Sequence, residues 1–156
     1  MKNQNTLWEP TKDQIKNSQM FEFIQFINSE FKLDIEDYDS LYNWSVENTD
    51  LFWDSFRKYS GMIFSENPKE VIDDINKMPG AKWFSGGKLN FAENLLKYQS
   101  NQVAIRFFGE DKVFNEITFN ELYKQVSKVQ KLLISYGIKE GDKIVGYIPN
   151  LPESII

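Results

Sequence analysis

The sequence predicts an α+β chain that turns toward α/β: a helical first half, then the opening of a mixed sheet domain. Three observations predict this. Apolar residues recur at helical spacing through much of the first half. Two short runs rich in β-branched and aromatic residues, "QVAIRFF" and "VFNEITF", then flank a polar gap containing a glycine, as in a hairpin. An amphipathic helix and the apolar run "KIVGYI" come last, in the order of a helix–strand unit.

The first ten residues read as an extended arm, with Trp8 and Pro10 pinning it to something. Thr11 and Gln14 have the spacing of a capping box, and Ile15, Met20, Phe23, Ile24, Ile27 and Phe31 continue at helical intervals. The acidic run "DIEDYD" follows as a break. Ser40 to Val46 reads as a short helix. Asn48 or Thr49 caps the next, which carries Leu51, Phe52, Phe56 and Tyr59 and ends at Gly61. A weaker helical pattern covers Val71, Ile72 and Ile75, and "MPG" stops it, because proline does not join a helix interior.

After the loop "GAKWFSGGKLNFAENLL", Asn90 and Glu93 have the capping-box spacing again, and Phe91, Leu95 and Tyr98 form one stripe. The predicted hairpin turns between Gly109 and Lys112. Thr118 and Glu121 then cap a helix that places Leu122, Val126, Val129, Leu133 and Tyr136 on one face. Gly137 stops it, with Ile138 able to pack back on the last turn. "KEGD" is a turn, "KIVGYI" a strand expected to be buried on both sides, and Pro152 opens a further helix. That buried strand has no later parallel partner, so the sheet is expected to be incomplete.

Composition excludes several functions. The 156 residues contain no cysteine and no histidine, which removes disulfides, thiolate and Ser-His-Asp catalysis, and most zinc sites. Hydrophobic residues are 41% and aromatic residues 15%, enough to drive folding of a core. The net charge is -5, and Arg57 and Arg106 are the only arginines, so no nucleic-acid partner is expected. No apolar run reaches bilayer length and no signal peptide is recognisable, so no membrane partner is expected either.

The glycine loop is the one stretch that invites a ligand. A phosphate loop needs a glycine five residues before Gly87 and a hydroxyl after Lys88; Lys82 and Leu89 stand there. Trp83 and Phe84 offer large areas for burial, and Gly86 and Gly87 allow a close backbone approach, so the loop reads as a packing elbow. Asp34, Glu36, Asp37 and Asp39 lack the glycine and closing glutamate of a calcium loop. Asp73 and Asp74 are adjacent and would diverge on a helix. No catalytic, cofactor-binding or metal residue is therefore assigned.

"PGAKWFSGGKLNFAENLL", preceded by "LYNWSVENTDLFW" and followed by "GIKEGDKIVGYIPNLPESII", resembles the start of the acetoacetate–CoA ligases. These belong to the acetyl-CoA synthetase branch of the AMP-forming adenylating enzymes. The resemblance runs from about Leu7 to Ile156, with three blocks in the same order. Two departures are Ser85, where the family often has proline, and Gly87, where it often has alanine. The resemblance implies a reaction for the whole enzyme. ATP and acetoacetate give an acyl-adenylate and pyrophosphate on Mg2+, and CoA then displaces AMP.

It also implies an organisation. Residues 1–88 match an N-terminal helical extension with its arm, and residues 89–156 the start of the large adenylate-forming domain. The family's phosphate loop, ribose-binding acid, hinge and C-terminal lysine all match beyond Ile156. The chain by itself is therefore expected to be structural and non-catalytic. ATP, Mg2+ and CoA are implied for the whole enzyme only, the rest of that enzyme is the implied partner, and the setting is cytoplasmic. The alternative is a free-standing interaction module that uses an open sheet edge, where self-association is plausible.

Overall fold

Several helices in this chain begin where a side chain satisfies the orphan amides of a first turn. In the computed structural model, which describes residues 7–110 and 112–156, Thr11 and Gln14 form the reciprocal capping box, and α1 runs Lys12–Lys16. The periodicity predicts one helix on to Phe31. The structure breaks it at Asn17, because Ser18 takes an extended backbone and accepts a hydrogen bond from Phe21 N at 3.2 Å. A serine able to cap a new helix competes with continuing the old one. The new helix, α2, is Gln19–Phe31.

Asp37 starts α3, Tyr38–Glu47, by accepting from Ser40 N at 2.9 Å. Asn48 separates it from α4, Thr49–Tyr59, without a side-chain capping bond; its Nδ2 instead donates back to Trp44 O. Gly61, at φ 61, lets the chain leave α4.

The first core lies against α2. Phe23, Ile24 and Ile27 are buried there with Ile35 and Leu41, and Phe26, Phe31, Trp44, Phe52 and Tyr59 close around them. Ile35 comes from the middle of the acidic run, whose four carboxylates all stay exposed. Asn28 holds it there: its Oδ1 accepts from Ile35 N and its Nδ2 donates to Ile35 O, both at 2.9 Å. Fully buried Ser55 donates to Glu30 on α2, and Lys58 pairs with Glu30 at 2.6 Å. The aromatic stripes are core only in part. Phe23 is buried, but Trp53 and Phe56 keep about two-fifths of their surface exposed. Trp8 is 71% exposed, so the described part of the arm, from Leu7 on, is not pinned by its ring; the six residues before it lie outside the described residues.

The helix expected near Val71, Ile72 and Ile75 does not form. Residues 65–73 instead face residues 82–88 in an irregular antiparallel meander, with isolated bridges at Glu66–Lys88 and Ile72–Trp83. The cause is local competition. Asp73 and Asp74 accept from nearby backbone amides, and Pro68 and Pro79 bracket the segment.

The chain divides into two compact units, Met1–Asn90 and Phe91–Ile156. The second opens with α5, Phe91–Leu95, whose expected stripe is mostly exposed: Phe91 at 72%, Tyr98 at 61%. β1, Val103–Gly109, then pairs antiparallel with β2, Val113–Thr118, as a two-stranded sheet. Asp111 in the connecting turn lies outside the described residues. The Thr118–Glu121 capping box starts α6, Phe119–Ser135, as its spacing predicts. Ile117 and Leu122 are the buried hydrophobic residues here; Val126 and Leu133 are half-buried, and Tyr136 is exposed. At the end of α6 Gly137 adopts φ 81, and Ile138 N reaches back to Leu133 O at 3.2 Å.

"KIVGYI" is not a buried strand. Residues 143–148 take no sheet structure, Val145 is 92% exposed and Tyr147 fully so. A strand needs a neighbour's backbone to satisfy its own amides and carbonyls, and none of the described residues supplies one. Pro152–Ser154 forms a short 3-10 turn with Pro152 buried, in place of the expected helix start. The fold is thus α+β, and its α/β portion is not formed.

The Asn28 clamp yields a direct test. Asn28→Ala leaves both polar groups of Ile35 without their partners and should cost about 1–3 kcal/mol in urea unfolding. Ile27→Ala, which opens a hole at a fully buried position, should cost about 2–5 kcal/mol.

Candidate functional site

The glycine loop closes the meander of the first unit. Phe84 sits at φ 49 and Gly86 at φ 80, two successive departures into the left-handed region within three residues. Between them Ser85 O accepts from Lys69 N at 2.9 Å, and the aliphatic stem of Lys69 lies against Gly86. Gly87 is required for space. A Cβ there would come within 2.9 Å of Phe64 Cε1 and 3.0 Å of Phe84 O. Trp83 meets Trp53 of α4 edge-on at 6.1 Å between ring centroids, and Arg57 lies 5.8 Å from the centre of the Phe64 ring.

A phosphate cradle needs backbone amides that converge on an open space. Here three of them are taken up inside the protein. Phe84 N donates to Val71 O at 2.7 Å, Gly87 N to Phe84 O at 3.0 Å, and Lys88 N to Glu66 O at 2.9 Å. The Lys88 ammonium pairs with Glu66 at 2.8 Å. Leu89 stands where a magnesium-binding hydroxyl would be. These residues do not fit a nucleotide triphosphate, and the packing elbow accounts for each of them.

The carboxylates weighed from the sequence also have structural work. Asp37 caps α3, and the Ser40 hydroxyl and amide hold its carboxyl below the usual range. Asp73 is not on a helix beside Asp74; it ties a turn together. It accepts from Lys77 Nζ, Lys82 N and Asp74 N, each at 2.8 Å. The Lys77 hydrogen bond first, then the Lys82 amide, lower its pKa to about 2. On α4, burial raises Asp54, but bonds from Arg57 and Lys58 outweigh it and leave its pKa lowered. No group of three acidic side chains among the described residues could hold a metal ion.

Sequence reasoning missed two features. Ser85 Oγ is buried with no hydrogen-bond partner among the described residues, a burial no local pattern signals. The other is a cleft of about 610 Å³ beside α2, walled by Trp8, Ile15, Met20, Phe21 and Tyr38 and floored by Ile24. Glu36 and Asp37 stand at its lip. Its lining comes from three separated segments, so no single stretch announces it.

Comparison with known proteins places these features in a family context. A family model described as acetyl-coenzyme A synthetase N-terminus matches residues 38–95, from α3 through α5. An acetoacetyl-CoA synthetase of Macaca fascicularis is 39% identical over 152 residues, covering 96% of this chain and 22% of the relative. One from Rhizobium meliloti is 36% identical over 155 residues, covering 99% and 24%. The structure of the acetoacetyl-CoA synthetase from Streptomyces lividans superposes with a TM-score of 0.79 at 30% identity, over 95% of this chain and 23% of that one. The chain therefore spans less than a quarter of the length of these relatives. No helix of the described residues is long and apolar enough to cross a membrane.

Two neighbouring substitutions should act with opposite sign. Ser85→Ala removes an unpaired buried hydroxyl and should stabilise by about 1 kcal/mol. Gly87→Ala forces Phe64 aside and should destabilise by about 1–3 kcal/mol. Thermal unfolding of both variants checks this.

Asp73 makes a pH prediction. Its folded pKa of about 2 lies below the ordinary 3.8, so its contribution is complete above 3.8 and is lost as pH falls through about 2. The Lys82 amide resonance should titrate with a midpoint near 2 and stop titrating in Asp73→Asn. A midpoint near 3.8 would show that the carboxylate does not hold this turn.

Proposed function

We propose, for a chain that corresponds to the N-terminal region of acetoacetyl-CoA synthetases, that it serves as the structural opening of an AMP-forming acetoacetate–CoA ligase. The whole enzyme would activate acetoacetate with ATP on Mg2+, then transfer the acyl group from the adenylate to CoA, in the cytoplasm. Residues 1–88 act as a helical extension, and residues 89–156 begin the large adenylate-forming domain. These residues contribute packing surface. Catalysis belongs to parts of the ligase that match nothing in this chain. The near full-length correspondence with the synthetases carries this reading. Its support on the chain's own side is the glycine loop, where the Phe84, Gly87 and Lys88 amides are spent within the protein.

Exposed apolar residues support a partner reading. Ile144, Val145, Tyr147 and Ile148 lie together in one unpaired segment, and the Phe108 and Phe114 rings meet tilted at 5.0 Å on the hairpin while mostly exposed. Exposed apolar clusters of this kind mark interfaces. The remainder of the ligase is the partner that fits it. Without that cover the same surface favours self-association.

A chimera tests the reading. This chain is substituted for the matching region of the Streptomyces lividans synthetase, and acetoacetate-dependent ATP–pyrophosphate exchange is measured. The chimera should exchange, whereas the 156-residue chain alone should not. A folded but inactive chimera overturns the family role, and exchange by the chain alone overturns the structural one. Light scattering of the isolated chain should give a mass above the monomer, falling toward it when Val145→Asp and Tyr147→Asp are combined.

A further inference from the structure

The cleft beside α2 is part of a longer trench that the ligase role leaves unused. A second hollow of about 240 Å³ continues it, floored by Phe23 and Leu41 and walled by Tyr42, Phe52 and Phe56. The two hollows share Met20 and Tyr38, which stand between them as a sill. Their floor is finished core: Phe23, Ile24 and Leu41 are each no more than 5% exposed. Their walls are not. Trp8 is 71% exposed, Tyr38 60% and Tyr42 55%.

Shape and charge both narrow the occupant. α3 presents Tyr38, Leu41, Tyr42 and Ser45 to the trench, positions i, i+3, i+4 and i+7 of one helix face. Two apolar hollows that share Met20 and Tyr38, beside a helix at that spacing, suit the side chains of a second helix laid alongside. Glu36 and Asp37 line the lip, with Asp34 and Asp39 next to them in the chain. No lysine or arginine of the described residues lines either hollow. The Asp37 carboxylate is fixed in place by the Ser40 amide and hydroxyl at 2.9 and 2.6 Å, so it stays on that lip.

We propose that the trench between α2 and α3 docks a basic amphipathic helix of a protein partner. Two apolar anchors enter the hollows on either side of Met20 and Tyr38, and lysine or arginine meets the Glu36–Asp37 lip. Other occupants fit less well. Residues 91–156 carry equal numbers of acidic and basic side chains, so the whole net charge of -5 sits in residues 1–90. A second copy's first unit would bring that same negative charge against the lip; α6 of a second copy, with Lys124, Lys128 and Lys131 against Glu121, is the occupant instead if Glu36→Lys lowers the chain's mass in light scattering. An anionic lipid surface meets the same repulsion. The proposal stands whether or not the ligase role does, because it uses only residues of the first unit.

The probe is a fluorescein-labelled peptide of roughly 14 residues, about 21 Å as a helix, with leucine on one face and lysine on the other. Fluorescence anisotropy against the full 156-residue chain should show saturable binding. A peptide with glutamate in place of lysine, and one with the same leucines and lysines scrambled out of helical register, should each bind at least about tenfold more weakly. Met20→Ala, Tyr42→Ala and Glu36→Lys alter exposed side chains and should each weaken the lysine peptide about tenfold while circular dichroism stays unchanged. Equal binding of the scrambled or glutamate peptide overturns the proposal. So does binding that ignores all three substitutions, or none below about 1 mM. Flotation of the chain with phosphatidylserine vesicles, lost in Met20→Ala and Tyr42→Ala and strengthened by Glu36→Lys, would assign the trench to a membrane instead.

Discussion

Phe23 is the side chain on which the first unit is assembled. It is 5% exposed, and its ring meets Phe52 and Phe56 of α4 edge-on at 5.8 and 5.7 Å and Tyr59 at 5.1 Å. Three contacts spaced along α4 fix that helix against α2 in both position and rotation, since aromatic pairs favour particular offsets. Everything polar between the two helices follows from that placement. Ser55 is brought under Glu30 and loses all exposure, and Lys58 comes within 2.6 Å of the same carboxylate. Such partly exposed ion pairs add little alone. Their geometry is a consequence of the aromatic packing.

Much of this was legible from local pattern. Capping boxes depend on residues three apart, so Thr11 with Gln14 and Thr118 with Glu121 are found where the spacing puts them. The hairpin lies within a residue of its expected bounds because alternation and a short glycine-containing gap are also local signals. Ile35 was hidden for the opposite reason. Four acids surround it, and what buries it is Asn28, seven residues away on a helix that the pattern treats as continuous from Thr11. The meander over 65–88 was illegible for the same cause. Its bonds include pairs nine (Asp73 with Lys82), sixteen (Lys69 with Ser85) and twenty-two (Glu66 with Lys88) residues apart, and none repeats regularly enough to leave a period.

The candidate loop shows how far residue types can mislead. Two glycines and a lysine before a helix suggest a ligand because backbone freedom and positive charge are what phosphates require. Each has an internal explanation here. Gly86 takes a conformation that L side chains rarely adopt, Gly87 makes room for Phe64, and Lys88 answers Glu66 across the meander. Sequence alone weighed the loop toward packing on the missing hydroxyl and the misplaced first glycine. It had no access to Phe64, the residue that makes Gly87 necessary, because that contact spans twenty-three positions.

Charge is divided unevenly along the chain, and the division has a physical consequence. Residues 1–90 hold the entire net charge and bury five hydrophobic side chains in one cluster. Residues 91–156 are neutral in sum and bury two hydrophobic side chains, Ile117 and Leu122, while Phe114, Ile134, Val145 and Tyr147 stand largely in solvent. Net charge keeps molecules apart, and exposed apolar area draws them together. The same chain therefore carries its repulsion on one stretch, while its apolar attraction is present on both. Added salt screens the repulsion over about 8–10 Å and leaves the apolar attraction in place. Cover for residues 143–148 has to come as backbone as well as side chain, because their amides and carbonyls are unpaired in sheet terms. Apolar ligands of small size leave that need unmet. A neighbouring strand meets both halves of it at once, which is why the apolar run reads so clearly as a strand in the sequence and yet forms none here.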